Sequence, residues 1–524
     1  MLVKVALVQP HIAAGKSLGV EKAPESIQAL AGQLEREGYT TQMFHEKAGD
    51  KLYRKLGEFA PDYVGISTMT PNFLEGRKTA KAVKEINQNI PVILGGWHAS
   101  GCVVSYLQNQ ESETIKEILN PESPFDFVVA GEGDLILPEM IRRIENGVKL
   151  DDLRGVGFLQ DDGEIQVSIA NRIQSLDNLA DPSWGLPTDN YRDKRSGELD
   201  LSVHFHRACR FNCGFCSTPV VYGRGVRTFS ADRAVKYIDY VLEVFKPQVI
   251  TFTDEDFFAN PMWVDKIVEL ISQRDFNGKY GVEFDTFASV NDLHRFEKRG
   301  EGWFLDKMKQ VGFNSFTIGI ESLNPEILRK YNKERMILPM MTKEQRAKFK
   351  WISHQQQNKM LVGHYLKCIQ EAINFAYEHC ILVVGDYMLG NLGENEKQVR
   401  ECFEKFCNLH NLLVAYLPIF TPFPGTGMWR EAYDSGKIIR DSAGNIDWSR
   451  FDASTGALDL GYDVAELRNE LELQFYISER YNKDMTQEIE KAPTRIRMFR
   501  ARFSYLNRLF PENKLVKNRL KELG

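Results

Sequence analysis

The chain has 524 residues, 66 Lys and Arg against 72 Asp and Glu, a net charge of −6 and a hydrophobic fraction of 43%. A mildly acidic balance gives no support for nucleic acid as the main partner, and no apolar run reaches the ~18 residues of a membrane span. The length suggests roughly two to four domains. Eight cysteines, three of them clustered, point to a reducing, cytoplasmic setting rather than a disulfide framework. The start, MLVKVALVQP, is too short and too uncharged for a signal peptide and reads as a buried strand.

Residues 1–150 alternate short apolar strands with helical segments, as a parallel α/β sheet does. After VKVALVQP comes PESIQALAGQLEREGY, an amphipathic helix with Ile27, Leu30, Ala31 and Leu34 at helical spacing. DYVGIST, PVILGGWHAS and FDFVVAGEGD read as further strands, with a helix over 75–87 between the first two. Ligands of such sheets bind outside the carboxyl ends of the strands. Those ends carry Ser67, Thr68, Met69 and Thr70, then Gly95, Gly96 and His98, then Gly131 and Glu132. Residues 151–200 read as a connector, with a small hairpin turning at Asp161-Asp162-Gly163 and a Pro-rich crossing.

The stretch HFHRACRFNCGFCSTP, 204–219, sets Cys209, Cys213 and Cys216 at C-x-x-x-C-x-x-C spacing. One loop can bend three such thiolates onto a single iron–sulfur cluster. Four-iron clusters normally take four cysteines, so three leave one iron open to bind and activate a small molecule. Gly214 and Phe215 suit a loop that wraps a cluster and shields it from water. A zinc loop with His204 or His206 as fourth ligand, or three buried thiols, are the other readings of the same residues. Cys102, Cys368, Cys380, Cys402 and Cys407 are scattered and read as buried small apolar groups.

From Leu201 the strand–helix alternation resumes. LSVHFHRAC, QVITFTDEDFFAN, GVEFDTFAS, SFTIGIESL, CILVVGDYMLGNLGEN and LLVAYLPIFTPFPGT give six strands, which suits an incomplete parallel barrel with its chemistry at the carboxyl-terminal mouth. Asp254, Glu255 and Asp256 end one strand, and Asp254 and Asp256 also read as turn or capping residues. Glu321 and Ser322 end another. A polar segment over 333–365 reads as an extra helix plus loop, a lid or a surface excursion. The tail over 463–524 is helical by pattern, with Ile496, Met498, Phe499, Phe503, Leu506 and Leu509 interleaved among basic residues from Lys491 on. Such a helix lies on an anionic membrane or packs on its own protein.

The cysteine stretch, with its aromatic residue before the third cysteine, resembles the signature of the radical S-adenosylmethionine (SAM) superfamily. The strand ends IST, GGWHAS and GEGD resemble the cobalamin-binding domain that precedes the cysteines in one large radical SAM class. TDEDFF, GIESL, MLGNLGEN and TPFPGT look like landmarks of that class too. The resemblance implies an α/β chain in four parts: a Rossmann-like cobalamin-binding domain (1–150), a connector (151–200), a partial (β/α)6 TIM-type radical SAM barrel (201–435) and a C-terminal helical region (436–524). It implies a [4Fe-4S] cluster on Cys209, Cys213 and Cys216, with SAM on the open iron near Phe215, Asp254, Glu321 and Ser322. It further implies cobalamin at Ser67, Thr68, Met69, Thr70, Gly95, Gly96, His98, Gly131 and Glu132. A Rossmann-like domain for another ligand, or for none, is the other reading of the first 150 residues.

Two features depart from the family's pattern. The D-x-H-x-x-G motif of methionine-synthase-type cobalamin domains is absent, so cobalamin is expected without a protein histidine under cobalt, Met69 either packing below the corrin or facing a core. The arginine that often follows the GVEFDTFAS strand is also missing; Ser289 and Asn291 stand there. The activity implied is methylation of an unactivated carbon of a small molecule or lipid through a 5'-deoxyadenosyl radical. The alternatives are an oxidative cyclase or rearrangement enzyme of the tetrapyrrole-cyclase kind, and a cobalamin- or redox-sensing binding protein. An electron donor such as flavodoxin or ferredoxin is implied as partner, and the basic tail raises peripheral membrane contact.

Overall fold

The computed structural model describes residues 2–12, 22–192, 197–491 and 496–523. The chain forms two compact units. The first gathers residues up to Arg192 with Leu199–Arg274 and Thr421–Leu458; the second gathers Asp275–Phe420 and the chain from Asp459 on.

The first unit is built on a seven-stranded sheet. Its strands are β1 (Lys4–Val8), β2 (Thr40–Phe44), β3 (Tyr63–Ser67), β4 (Val92–Gly95), β5 (Phe127–Val129), β6 (Val156–Leu159) and β7 (Ile165–Val167). Their order is β2-β1-β3-β4-β5-β6-β7. β1 to β5 run parallel, and β6 and β7 are antiparallel. The apolar runs of β1, β3 and β4 are buried on both faces, which helices on both sides of a parallel sheet require. The hairpin expected as part of a connector instead extends this sheet, since β6 pairs directly with β5. Trp97 to Ser100, expected to continue a strand, open the helix Gly96–Leu107.

The same unit holds β8 (Asp200–Val203), β9 (His206–Arg207), β10 (Arg227–Thr228) and β11 (Val249–Phe252). β8 and β11 pair in parallel, and β9 and β10 form a short antiparallel ladder flanking the cysteine loop. The second unit holds four consecutive parallel strands, β12 (Glu283–Ala288), β13 (Phe313–Glu321), β14 (Leu382–Tyr387) and β15 (Val414–Tyr416). The six strands expected after Leu201 are thus all present and alternate with helices.

The polar segment 333–365 is more helical than expected. It contains Glu334–Ile337 and Lys343–Phe349 and runs into a 25-residue helix, His354–Glu378, that starts on a Ser353–Gln356 capping box. The tail forms the helices Val464–Ile477, Glu479–Lys491, Ile496–Leu509 and Lys514–Glu522. Phe499, Phe503 and Leu506 are buried, with Phe503 against the rings of Tyr476 and Tyr481. Packing within the second unit therefore takes up Phe499, Phe503 and Leu506 of the six expected residues; Leu509 stays exposed, and the side chains of Ile496 and Met498 lie outside those described. No helix among the described residues is long and apolar enough to cross a membrane.

Candidate functional site

In the first unit the carboxyl ends of β1, β3, β4 and β5 wall a cavity of about 520 Å³. Gly65, Gly95, Gly96, Gly131 and Gly133 all line it, so one wall is largely bare backbone that a broad ligand can approach closely. Gly96 is obligatory: its φ is +90°, and a Cβ there would sit 2.5 Å from the Thr68 carbonyl oxygen. Deeper in, Leu7, Ile93 and Leu137 give an apolar lining. Ser67 and Met69 line the cavity, and Met69 is 36% exposed, so it is not a core residue.

Three of the remaining expected cobalamin residues lie elsewhere. Thr68, Thr70 and His98 are buried and do not line the cavity. His98 stacks on Phe73 at 4.0 Å, with Nδ1 3.2 Å from Thr70 Oγ1. Burial, and then the charge of Arg77, push its imidazole down to about 3. Glu132 lines the cavity but is engaged in ion pairs, 2.6 Å from Arg227 and 3.1 Å from Arg207. Arg207 also grips Asp134 at 2.8 and 2.9 Å. Burial works against that carboxylate, yet the guanidinium holds it below its ordinary range. The GEGD turn is thereby tied to the β9–β10 ladder that carries the cysteine loop. No local sequence pattern signals this link.

The other side of the cavity is lined by His204, Phe205, Arg207, Thr253 and Glu255. His204 Nε2 lies 3.1 Å from Glu255 Oε2. Burial alone would depress this imidazole, but Glu255, with Glu25 behind it, raises it to about 9. Glu25 accepts from Thr253 Oγ1 at 2.9 Å, and burial pushes its carboxyl up. The His204–Glu255 ion pair and the Glu25 carboxyl therefore both face the cavity.

Immediately downstream, the cysteine loop is shaped to present sulfur. Phe211 N–H donates to Cys209 Sγ and Thr218 N–H to Cys216 Sγ, both at 3.4 Å, and Cys216 N–H donates to the Cys213 carbonyl at 3.1 Å. Amide donors aimed at sulfur stabilise thiolates and tune a cluster's potential. The donor set suits a cluster of this kind better than tetrahedral zinc: His204 is held by Glu255, and His206 is buried with Nδ1 on the Asp256 carbonyl. Asp256 reaches Arg210 at 3.0 Å and Cys209 Sγ at 3.6 Å. Asp254 is fully buried and accepts from the amides of Phe205 and His206 at 2.6 and 2.5 Å, so it pins the strand entering the loop. Phe215 sits half-buried within the loop. From the TPFPGT side, Met428 N–H donates to the Gly214 carbonyl at 3.0 Å.

In the second unit Glu321 ends β13 at φ +68°. Its carboxylate folds back over Gly319, where any Cβ would meet it. Lys333 Nζ lies 3.3 Å from Glu321 and donates to the Gly319 carbonyl at 3.0 Å. Burial, and then the charge of Glu321, push Asp386 on β14 up to about 8, and its Oδ1 has no hydrogen-bond partner. Sequence reading missed Lys333 and Asp386; Asp386 is signalled as an ionisable residue inside the otherwise apolar run of β14, whereas nothing marks Lys333 among its polar neighbours. Ser322 is buried and its Oγ accepts from Asn324 N–H at 3.0 Å. Ser289 and Asn291, where an arginine was the family's habit, have structural work. Ser289 caps the helix Val290–Arg299 in a box with Asp292, and Asn291 donates to the Met336 carbonyl at 2.7 Å.

A doubly covered parallel sheet with a glycine-walled cavity at its strand ends, joined in one unit to a three-thiol loop, defines an enzyme that carries cofactors on both features. The comparisons with known proteins give the same class. The profile of the Radical SAM superfamily matches residues 203–406, and that of the B12 binding domain matches residues 14–141. An uncharacterized methyltransferase of Pyrococcus horikoshii is 25% identical over 91% of this chain and 92% of its own. The anaerobic magnesium-protoporphyrin IX monomethyl ester cyclase of Rubrivivax gelatinosus is 22% identical over 83% of this chain and 71% of its own. Among solved structures, the cobalamin-dependent SAM radical enzyme OxsB, with aqua-cobalamin and SAM bound, shares the fold. It has a TM-score of 0.63 and 14% identity and covers 99% of this chain and 75% of its own. The chain belongs to the cobalamin-dependent radical SAM enzymes. The cofactors that go with its two domains are cobalamin, SAM and a [4Fe-4S] cluster.

Proposed function

We propose that the protein is a methyltransferase acting on an unactivated carbon of a small-molecule or lipid substrate. The observation that carries this reading is the three-thiol loop, with amides aimed at two of its sulfurs, in one unit with the glycine-walled cavity. Cys209, Cys213 and Cys216 would hold the cluster, and Ser67, Met69, Gly95, Gly96 and Gly131 would receive cobalamin. When bound, the cofactors supply the radical that activates the substrate carbon and the methyl group it receives. The chain's own part is placement and exclusion of water. Asp254 fixes the entry to the loop through two backbone amides, and Phe215 covers it. The strand-end carboxylate of Glu321, backed by Lys333, would take the polar end of SAM beside Ser322. The His204–Glu255 pair keeps a fixed charge at the cavity wall. A flavodoxin or ferredoxin would deliver the electron.

The test uses the full chain, reconstituted with iron, sulfide and cobalamin and supplied with SAM and a reductant. The expected products are 5'-deoxyadenosine and S-adenosylhomocysteine together. Deoxyadenosine without S-adenosylhomocysteine would favour a cyclase like that of Rubrivivax gelatinosus, and neither product would overturn both readings.

A further inference from the structure

We propose that His294, His364, Cys368 and Glu371, in the second unit, form a zinc site that staples the helix Val290–Arg299 to the helix His354–Glu378. His364, Cys368 and Glu371 stand at i, i+4 and i+7 on one helix, a spacing that puts all three on a single face. His294 comes from the neighbouring helix. The donor atoms of His294, Cys368 and Glu371 all lie within 4.8 Å of one another. His364 Nε2 is 3.4 Å from the same sulfur, and His294 Nδ1 is 3.8 Å from Glu371. Tetrahedral zinc with bonds of about 2.0–2.3 Å sets its ligands roughly 3.5 Å apart, so closure asks for about an ångström of side-chain adjustment.

An independent observation points the same way. His294 is 8% exposed, and its Nδ1 has no hydrogen-bond partner. A buried ring nitrogen without a partner is costly, and here it lies 3.8 Å from Glu371 and 3.9 Å from Glu297, with Cys368 in the same cluster. A simple thiol–imidazole hydrogen bond would account for Cys368 and His364, but it leaves the buried, unpartnered Nδ1 of His294 unexplained.

The charges suit a buried cation. Burial, then the charge of Lys298, lowers His294, and burial lowers His364, which favours the neutral, ligating form of each ring. The Met340 carbonyl acts on both rings, the kind of outer partner that orients ligating histidines. Burial pushes the Cys368 thiol up to about 12; zinc binding would release that one proton to solvent. Zn²⁺ with one thiolate, one carboxylate and two neutral imidazoles then carries no net charge. Lys298 and Lys367 also pair with Glu371, at 3.3 and 3.6 Å, but their side chains are 51% and 70% exposed and free to turn to water. Two nitrogens, a sulfur and an oxygen in a closed set favour zinc over magnesium or calcium.

The experiment measures zinc and iron together, by elemental analysis of the full, cluster-loaded chain after exposure to zinc and gel filtration. About one zinc per chain is expected. Cys368→Ser and His294→Gln should each lower retained zinc at least tenfold with iron unchanged. Glu371→Gln, at a partly exposed position, should weaken zinc at least tenfold with an unchanged circular dichroism spectrum, which separates ligation from folding. Cobalt(II) added instead should give a thiolate-to-cobalt absorption band. That band should persist in the Cys209→Ala/Cys213→Ala/Cys216→Ala chain and vanish in Cys368→Ser. No retained zinc in the parent chain, zinc retained undiminished by Cys368→Ser, or a cobalt band that leaves with the three loop cysteines would each overturn the proposal.

Discussion

Arg207 shows how a residue beside a cavity can be structural. Its guanidinium pairs with Asp134 and Glu132, and all three side chains are largely buried. Removing one partner of such a set leaves buried charge uncompensated, at about 3–5 kcal/mol. Arg207→Ala should therefore lose about that much stability in urea denaturation; a loss below about 1 kcal/mol would show that the set behaves like a surface pair. His204 makes a different prediction. Its folded pKa, about 9, lies above the ordinary imidazole value of about 6.5. The charged ring's contribution to stability is thus complete below about 6.5 and fades as pH rises through about 9. The melting temperature of the parent chain should fall across that window more steeply than that of His204→Gln. Parallel pH profiles would exclude the pairing with Glu255 as the cause.

At the scale of elements, the helix Gly96–Leu107 packs so closely that a Cβ on Gly101 would lie 2.5 Å from the Pro424 carbonyl oxygen. Backbone must move to admit it, and overpacking of this kind costs about 1–3 kcal/mol. Gly101→Ala should lower stability by that amount; an unchanged melting curve would mean that the TPFPGT loop yields freely. Phe503, fully buried, should cost about 3–5 kcal/mol on change to alanine. Because the stripe is used in packing, the full chain should not co-sediment with anionic vesicles at physiological salt. Most strands were legible because they are unbroken apolar runs. β2 was not: only Met43 and Phe44 of its five residues are buried, so its pattern is too weak to see. The hairpin β6–β7 was read from its turn, but local sequence does not say which sheet edge it joins. His98 was read at a strand end because GGWHAS continues an apolar run, whereas the positive φ of Gly96 turns the chain into a helix there. The ion pairs of Arg207 and the cluster around Cys368 join residues some 70 positions apart, and no local pattern reports such a meeting.

Across the whole molecule the eight cysteines divide by surroundings. Cys102, Cys368, Cys402 and Cys407 are buried, and burial pushes their thiols up. Cys380, expected to be buried, is exposed at the turn that closes a helix. Burial pushes the Cys209 thiol up as well, but Cys209, Cys213 and Cys216 alone share partial exposure and one short loop, with amides directed at the sulfurs of Cys209 and Cys216. Reconstitution should therefore load about four irons and four sulfides per chain, and the triple alanine chain should load neither. The wall proposed for cobalamin comes chiefly from the glycines at the ends of the first sheet, whose conformations are set by β3, β4 and β5 and not by the thiols. The triple variant should accordingly keep the visible absorption of bound cobalamin after gel filtration while losing its iron. Eight irons per chain, or iron surviving in the triple variant, would mean a second cluster elsewhere. Loss of cobalamin together with iron would mean that the loop, through His204, Phe205 and Arg207 on the cavity's other side, shapes the corrin wall as well.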